Sequence, residues 1–363
     1  MTTRSGPLRG VRVLEFPAIG PGPFCGMLLS DYGADVLRID RKGGQAMAND
    51  VTARGKRSIA LDLKDPTDAK TTLSLIEKAD VLIEGFRPGV MERLGFGPDA
   101  MLAKNPRLVY GRMTGWGQEG PLAQAAGHDL NYIALSGVLA SIGPASGPPV
   151  PPLNLVGDYG GGSLYLALGI VSALFERAAS GRGQVVDAAM IDGAASLMST
   201  SVTKLANGWS TLRRGDNQLD GSAHYYRPYE CADGKYVALA PIEPQFYKEL
   251  WQRLGNLAPK TLPGQKKADW ADGSRVLAEI FKTKTRDEWC ALLEGSDVCF
   301  APVLEFEEAT EHPHMRARNV FVREFGLTQP GPAPRFSRTP GAIHGPPPAV
   351  DEGGAAALKD WGV

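Results

Sequence analysis

Val11-Arg12-Val13-Leu14-Glu15-Phe16, a loop through Ile19-Gly20-Pro21-Gly22-Pro23, a helical stretch over about residues 24–32, and then Val36-Leu37-Arg38-Ile39-Asp40 decide the fold. A β-branched run, a Gly/Pro turn, an apolar helix and a second β-branched run make a βαβ unit, whose two strands are parallel. The alternation continues outward. Asp65 and Pro66 form an N-cap and first-turn pair ahead of Ala69, Leu73 and Ile76 at helical spacing, and Val81-Leu82-Ile83 supplies the next strand. Residues 107–113 give another strand, and Gly160-Gly161-Gly162 leads into Leu164, Leu168, Val171 and Leu174, a one-sided apolar stripe. A strand over residues 184–189 follows, so residues 1–207 read as a large, Rossmann-like α/β domain.

Beyond it, residues 208–224 are polar and glycine-rich, as suits a linker. A smaller α+β domain over 225–328 opens with a hairpin, because residues 229–231 and 235–240 flank Asp233-Gly234, a type I′ turn signal. Helices are expected at 245–254, 275–281 and 286–293, with a strand near 299–304. The proline-rich stretch 329–348 cannot build a helix, so it is expected to run extended and wrap over another surface, within a C-terminal segment 329–363 that returns to the large domain.

Composition narrows the function classes. The 363 residues carry 39 basic and 40 acidic side chains, a net charge of -1, which argues against a nucleic-acid surface held by excess Lys and Arg. Four cysteines stand far apart without a C-x-x-C pair, so neither a zinc site nor a disulfide scaffold is indicated. Residues 1–9 lack an apolar segment, no run of 18 apolar residues occurs, and the final Trp361-Gly362-Val363 is no peroxisomal address. A cytoplasmic protein with no membrane role is expected.

Gly20-Pro21-Gly22 after the first strand, with Asp40 ending the second, has the outline of a dinucleotide fingerprint. Its details fail: Cys25 stands at the third glycine position, Gly26 comes one place late, and Pro21 and Pro23 remove two N–H groups that would cradle a pyrophosphate. Basic residues are more suggestive. Arg38, Arg41, Arg54, Lys56, Arg57, Lys64, Arg87 and Arg93 fall near strand ends or in the following loops, where open α/β sheets bind ligands, and could hold several phosphates or form an ordinary solvated surface.

Of five histidines, His128 alone lies outside linker-like or tail-like segments, between a glycine-rich loop and the start of a helix. An imidazole there serves either as a cap or as a neutral general base. Asp158, in Gly157-Asp158-Tyr159-Gly160-Gly161-Gly162, reads as a helix N-cap or as a second acid/base group with N–H donors of the glycine run beside it. Together the pair suits proton removal next to a carbonyl and return from the opposite face. No serine or cysteine has a nucleophile's context.

Ile19-Gly20-Pro21-Gly22-Pro23, Arg38-Ile39-Asp40-Arg41, Arg54-Gly55-Lys56-Arg57-Ser58, Glu84-Gly85-Phe86-Arg87-Pro88-Gly89-Val90, Gly127-His128-Asp129 and Asp187-Ala188-Ala189-Met190 closely resemble the α-methylacyl-CoA racemase branch of the family III CoA-transferase (CaiB/BaiF) superfamily. The resemblance spans nearly the whole chain. It implies a Rossmann-like large domain with a small α+β domain, in an interlocked homodimer. It implies an acyl-CoA substrate whose coenzyme A meets Arg41, Leu61, Asp62, Leu63, Lys64, Gly85, Phe86, Arg87 and Arg93, with Gly127, Asp129 and Tyr132 completing the contacts. No metal and no separate cofactor are implied. His128 and Asp158 would be the catalytic acid/base residues, and Glu243 from the partner chain would orient His128. Two alternatives stand beside this: a CoA-transferase using Asp158 as nucleophile, although transferases lack the Gly-His-Asp motif present here, and a non-catalytic CoA-ester carrier. For the acyl group, Met27, Met113, Met190 and Met198 are candidates for an adaptable apolar surface.

Overall fold

A computed structural model describes residues 4–363. Six strands, β1 (Arg12–Glu15), β2 (Asp35–Asp40), β3 (Arg57–Ala60), β4 (Val81–Glu84), β5 (Val109–Thr114) and β6 (Val185–Ala189), form one parallel sheet in the order β3-β2-β1-β4-β5-β6. The period-2 pattern of the strands shares their side chains between two cores. Leu14, Leu37, Ile39 and Leu82 pack with Leu75 and Ile76 on one face, whereas Val13, Val36, Val81 and Ile83 pack with Leu166 and Ile170 on the other. Strand order reverses between β1 and β4, which opens a crevice at the carboxyl ends of those strands.

Two compact units divide the chain: Met1–Ser136, Pro152–Met198 and Arg318–Val363 form the first, and Gly137–Pro151 with Ser199–Ala317 the second. The expected large domain over 1–207 closes at Met198, and the returning segment begins at Arg318 instead of 329. A hairpin explains the second difference: Phe321–Glu324 pairs antiparallel with Leu327–Pro330, and Arg54 Nη1 donates to Gln329 Oε1 at 3.0 Å and to the Pro330 carbonyl at 2.6 Å, tying both strands into the first unit. Residues 208–224 cluster with the second unit and end inside its core: Ala223 and His224 are fully buried, and His224 Nε2 lies 2.7 Å from the Tyr247 hydroxyl.

Within the second unit, Arg227–Glu230, Tyr236–Leu239 and Phe300–Pro302 form an antiparallel sheet. The hairpin turn is not type I′. Only Gly234 takes a positive φ (76°), and its N–H bonds the Cys231 carbonyl at 3.1 Å, which fits a type I turn with glycine at the left-handed position. In the first unit the proline-rich stretch wraps over its own domain, with Ala342 N–H on the Asp31 carbonyl and Gly55 N–H on that of Gly345, before the helix Gly354–Trp361 docks beside β3.

Of the apolar stripe after the triple glycine, Leu174 packs against the core while Leu164, Leu168 and Val171 turn away from it. In the helix Leu164–Ser180 the buried face is Leu166, Ile170, Ala173 and Arg177, packed on β5, whereas Leu164, Leu168 and Val171 face outward with Phe175. By length and composition, Leu155–Ser180 would suffice to cross a membrane; one face of it is committed to the sheet.

Half of the suspected phosphate-binding cations are spent inside the first unit. Lys56, whose side chain is completely buried, reaches both carboxylate oxygens of Glu15 at 2.9 and 2.7 Å and the Pro23 carbonyl at 2.9 Å. Gly26 makes room for this, because a Cβ there would lie 1.8 Å from Glu15 Oε2. Arg54 forks onto Asp31, Arg57 pairs with Asp35 and Asp360, and Arg38 pairs with Asp40, which also accepts from Ser58. Arg41, Lys64, Arg87 and Arg93 remain exposed. A buried ion pair stripped of one partner leaves an uncompensated charge, so Lys56→Ala is expected to cost about 3–5 kcal/mol, and Glu15→Leu/Lys56→Met far less. Urea denaturation checks this; equal losses in the single and double variants would show that the pair does not bear on stability.

Candidate active site

The crevice at the strand-order reversal widens into a cleft of about 890 Å³. Three loops build its floor and walls: residues 17–22 after β1, residues 85–88 after β4, and Gly115 and Trp116 after β5. Gly127, His128, Tyr132, Asn154, Asp158, Tyr159, Met113 and Met190 complete it.

His128 is the exposed N-cap of the helix Asp129–Leu135, and its N–H donates to Asn131 Oδ1 at 3.0 Å, which fixes where the chain enters the helix. Asp158 does not open a helix. It sits within a π-helical segment, Leu155–Ser163, that runs into the helix Leu164–Ser180. Such wide turns are rare and concentrate at functional sites.

Close packing of the glycines sets the path of this segment. Gly161 and Gly162 are buried, and a Cβ on Gly161 would come within 2.6 Å of Ala194 N. One on Gly193 would fall 1.9 Å from the Gly161 carbonyl oxygen, so the helix Met190–Leu197 lies backbone on backbone against the π-helical turn. Gly20, at φ 68°, lies beside the carboxyl of Asp158: a Cβ there would stand 3.1 Å from Oδ2.

Burial pushes the Asp158 carboxyl above the ordinary aspartate range. The Asn154 side chain, donating to Oδ2 at 3.1 Å, opposes that shift; Asp129 adds to it and His128 opposes it. Tyr132 is shifted up as well, by burial and then by the charge of Asp158. Trp116 and Tyr132 line the walls edge-to-face, and Tyr159, also in the lining, packs on Phe24 behind it, both pairs with centroids 4.8 Å apart.

Seven of the expected site residues therefore meet in one cleft: Gly85, Phe86, Arg87, Gly127, His128, Tyr132 and Asp158. Asp129 lies beneath it, 6 % exposed, and accepts the Asp158 N–H. Farther along the carboxyl edge of the sheet, Arg41 follows β2, residues 61–64 follow β3 and Arg93 ends the helix Val90–Arg93. Leu61 is buried and Leu63 packs on the same core, whereas Asp62 and Lys64 are exposed. Glu243 is an exposed helix N-cap in the second unit and is not part of the cleft lining. Of the four methionines, Met113 and Met190 reach the cleft; Met27 is buried apart from it and Met198 does not line it. Asn154, Trp116 and Tyr159 carry no sequence signal that ties them to His128. Buried Cys25 has its thiol pushed up by burial, so it is no nucleophile.

Comparison with known proteins agrees with this geometry. The family model CoA-transferase family III matches residues 8–353. The chain is 47 % identical over 358 residues to an alpha-methylacyl-CoA racemase of Mus musculus, covering 98 % of this chain and 93 % of that one. It is 46 % identical over 336 residues to an alpha-methylacyl-CoA racemase of Homo sapiens, covering 92 % and 87 %. Among solved structures, a CAIB/BAIF family protein from Brucella suis superposes with a TM-score of 0.86 at 27 % identity, over 99 % of this chain and 100 % of that one. This chain belongs to CoA-transferase family III.

Proposed function

We propose that the chain interconverts the R and S forms of 2-methylacyl-CoA thioesters, moving one proton off and one onto the α-carbon through an enolate. The observation that carries this is the pairing of His128 and Asp158, borne on separate elements and lining one cleft, with the carboxyl pushed toward its protonated form. In one direction neutral His128 takes the α-proton, the enolate forms, and protonated Asp158 delivers its proton to the opposite face. In the other, ionised Asp158 accepts and the imidazolium donates. The resemblance assigns the S substrate to His128 and the R substrate to Asp158.

Arg41, Lys64 and Arg93, which are exposed and pair with no buried group among the described residues, offer charge for the phosphates of coenzyme A, with Leu61, Asp62, Leu63, Gly85, Phe86 and Arg87 shaping its path and Gly127, Asp129 and Tyr132 near the thioester. The reaction uses no metal, flavin or nicotinamide and runs in the cytoplasm, and Glu243 of a second copy orients His128.

Because one positioned acid or base is worth about 10²- to 10⁴-fold, His128→Ala and Asp158→Ala are each expected to slow racemisation by that factor, measured as loss of optical activity of an S or R ester. Wild-type racemisation in either variant contradicts the two-base scheme. Transfer of CoA to a free acid with no racemisation points instead to Asp158 as a nucleophile, and binding with neither reaction points to a carrier. Dialysis against a chelator is expected to leave the rate unchanged; a loss restored by a divalent cation contradicts the cofactor-free reading.

A second copy of the chain is proposed to cover the outward face of the helix Leu164–Ser180. Leu164, Leu168, Val171 and Phe175 lie 51, 64, 43 and 84 % exposed at helical spacing, an apolar stripe of the kind that marks an interaction surface. Light scattering should give roughly twice the 38.7 kDa of one chain. A fully active species of one chain's mass excludes the dimer.

A further inference from the structure

Asp129 follows His128 directly in the chain, yet its side chain serves Asp158. Its Oδ2 accepts the Asp158 N–H at 2.7 Å, across 29 residues of sequence. The residue is 6 % exposed, and its Oδ1 is buried with no hydrogen-bond partner among the described residues. Gly157 admits it: a Cβ there would lie 2.5 Å from Asp129 Oδ2 and 3.2 Å from Ile133. A carboxylate this deep is ordinarily matched by a cation or by several donors, and this one has a single backbone N–H.

We propose that Asp129 is the positioning residue of the acid/base pair: its buried carboxylate latches the backbone of Asp158 to the helix that starts at His128, and turns an uncompensated negative charge toward the Asp158 carboxyl. This rests on the racemase reading for its catalytic consequence. The groups facing that carboxyl account for the charge balance. Asp129 favours its protonated form, His128 and the Asn154 amide favour the ionised form, and Tyr132, itself near Arg87, meets it as a neutral phenol. When His128 acts as base, Asp158 must begin protonated; burial pushes it furthest that way, and among the described residues around it Asp129 is the charged neighbour that adds to the push.

Asp129→Asn tests the proposal, since its amide oxygen keeps an acceptor for the Asp158 N–H while the charge is removed. In the full-length protein carrying 13C-labelled aspartate, with the Asp158 signal assigned by its loss in Asp158→Asn, the titration midpoint of Asp158 is expected to fall. The kcat for racemisation should drop about 10- to 100-fold with KM little changed, as for a group that acts through another. The pH limb that reports Asp158 should move to lower pH. An unmoved midpoint, or a wild-type kcat, overturns the proposal. Asp129→Ser, which also removes the charge, takes the place of the Asn variant should the latter fail to fold by circular dichroism. The titration is read without turnover, so a wild-type protein that does not racemise at all would defeat the racemase reading while leaving the role of Asp129 to be decided by the midpoint.

Discussion

One hydrogen bond, from the Asp158 N–H to the buried carboxylate of Asp129, joins the two halves of the site. It adds a directional tie to the packing of Gly157 against Ile133, where the His128 helix meets the π-helical turn. With it, the residue after His128 holds the backbone of Asp158. The small residues around the latch follow from that demand. Gly157 leaves space for the carboxylate, Gly161 and Gly193 bring the helix Met190–Leu197 to backbone contact behind the turn, and Gly20 lets the loop after β1 approach Asp158. A side chain at Gly157, Gly161 or Gly193 would collide with the carboxylate or backbone packed against it and force these elements apart.

The sheet supplies the second constraint. Its order, β3-β2-β1-β4-β5-β6, places the reversal between β1 and β4, so the loops after both strands diverge and leave the cleft open. Buried charge fixes those loops from below. Lys56 bridges Glu15 at the end of β1 to the Pro23 carbonyl in the first turn of the next helix, and Arg112 bridges Glu84 at the end of β4 to Glu92. The cations nearest the fold centre thus brace the loops, and those left in solvent are the ones available to an anionic ligand.

Much of this was legible in the sequence, because alternating apolar strands and N-capped helices are local signals. The βαβ opening, the strands β4, β5 and β6, and His128 at a helix start follow from residues within a few places of one another, whereas β3, set in the basic stretch Arg54-Gly55-Lys56-Arg57, does not read as a strand. What depended on distant partners was not legible. Lys56 and Glu15 are 41 residues apart, and Arg54 and Asp31 are 23 apart, so nothing local distinguishes a bracing cation from a phosphate ligand. The π-helical setting of Asp158 depends on Gly193 from another helix, so the motif reads as a simple N-cap. The helix Leu164–Ser180 is apolar on two faces, and periodicity alone does not say which one meets the sheet. Asn154 and Trp116 became site residues only through the path of the chain.

The central claim, that two groups on opposite sides of one α-carbon exchange its proton with solvent, is tested most directly in heavy water. Each pure enantiomer of a 2-methylacyl-CoA ester is incubated with the protein, and the product is analysed for α-deuterium by mass spectrometry. The account expects inverted product from both enantiomers to carry one deuterium at the α-carbon. Inverted product that retains its original proton, or esters recovered with neither inversion nor label, would contradict it.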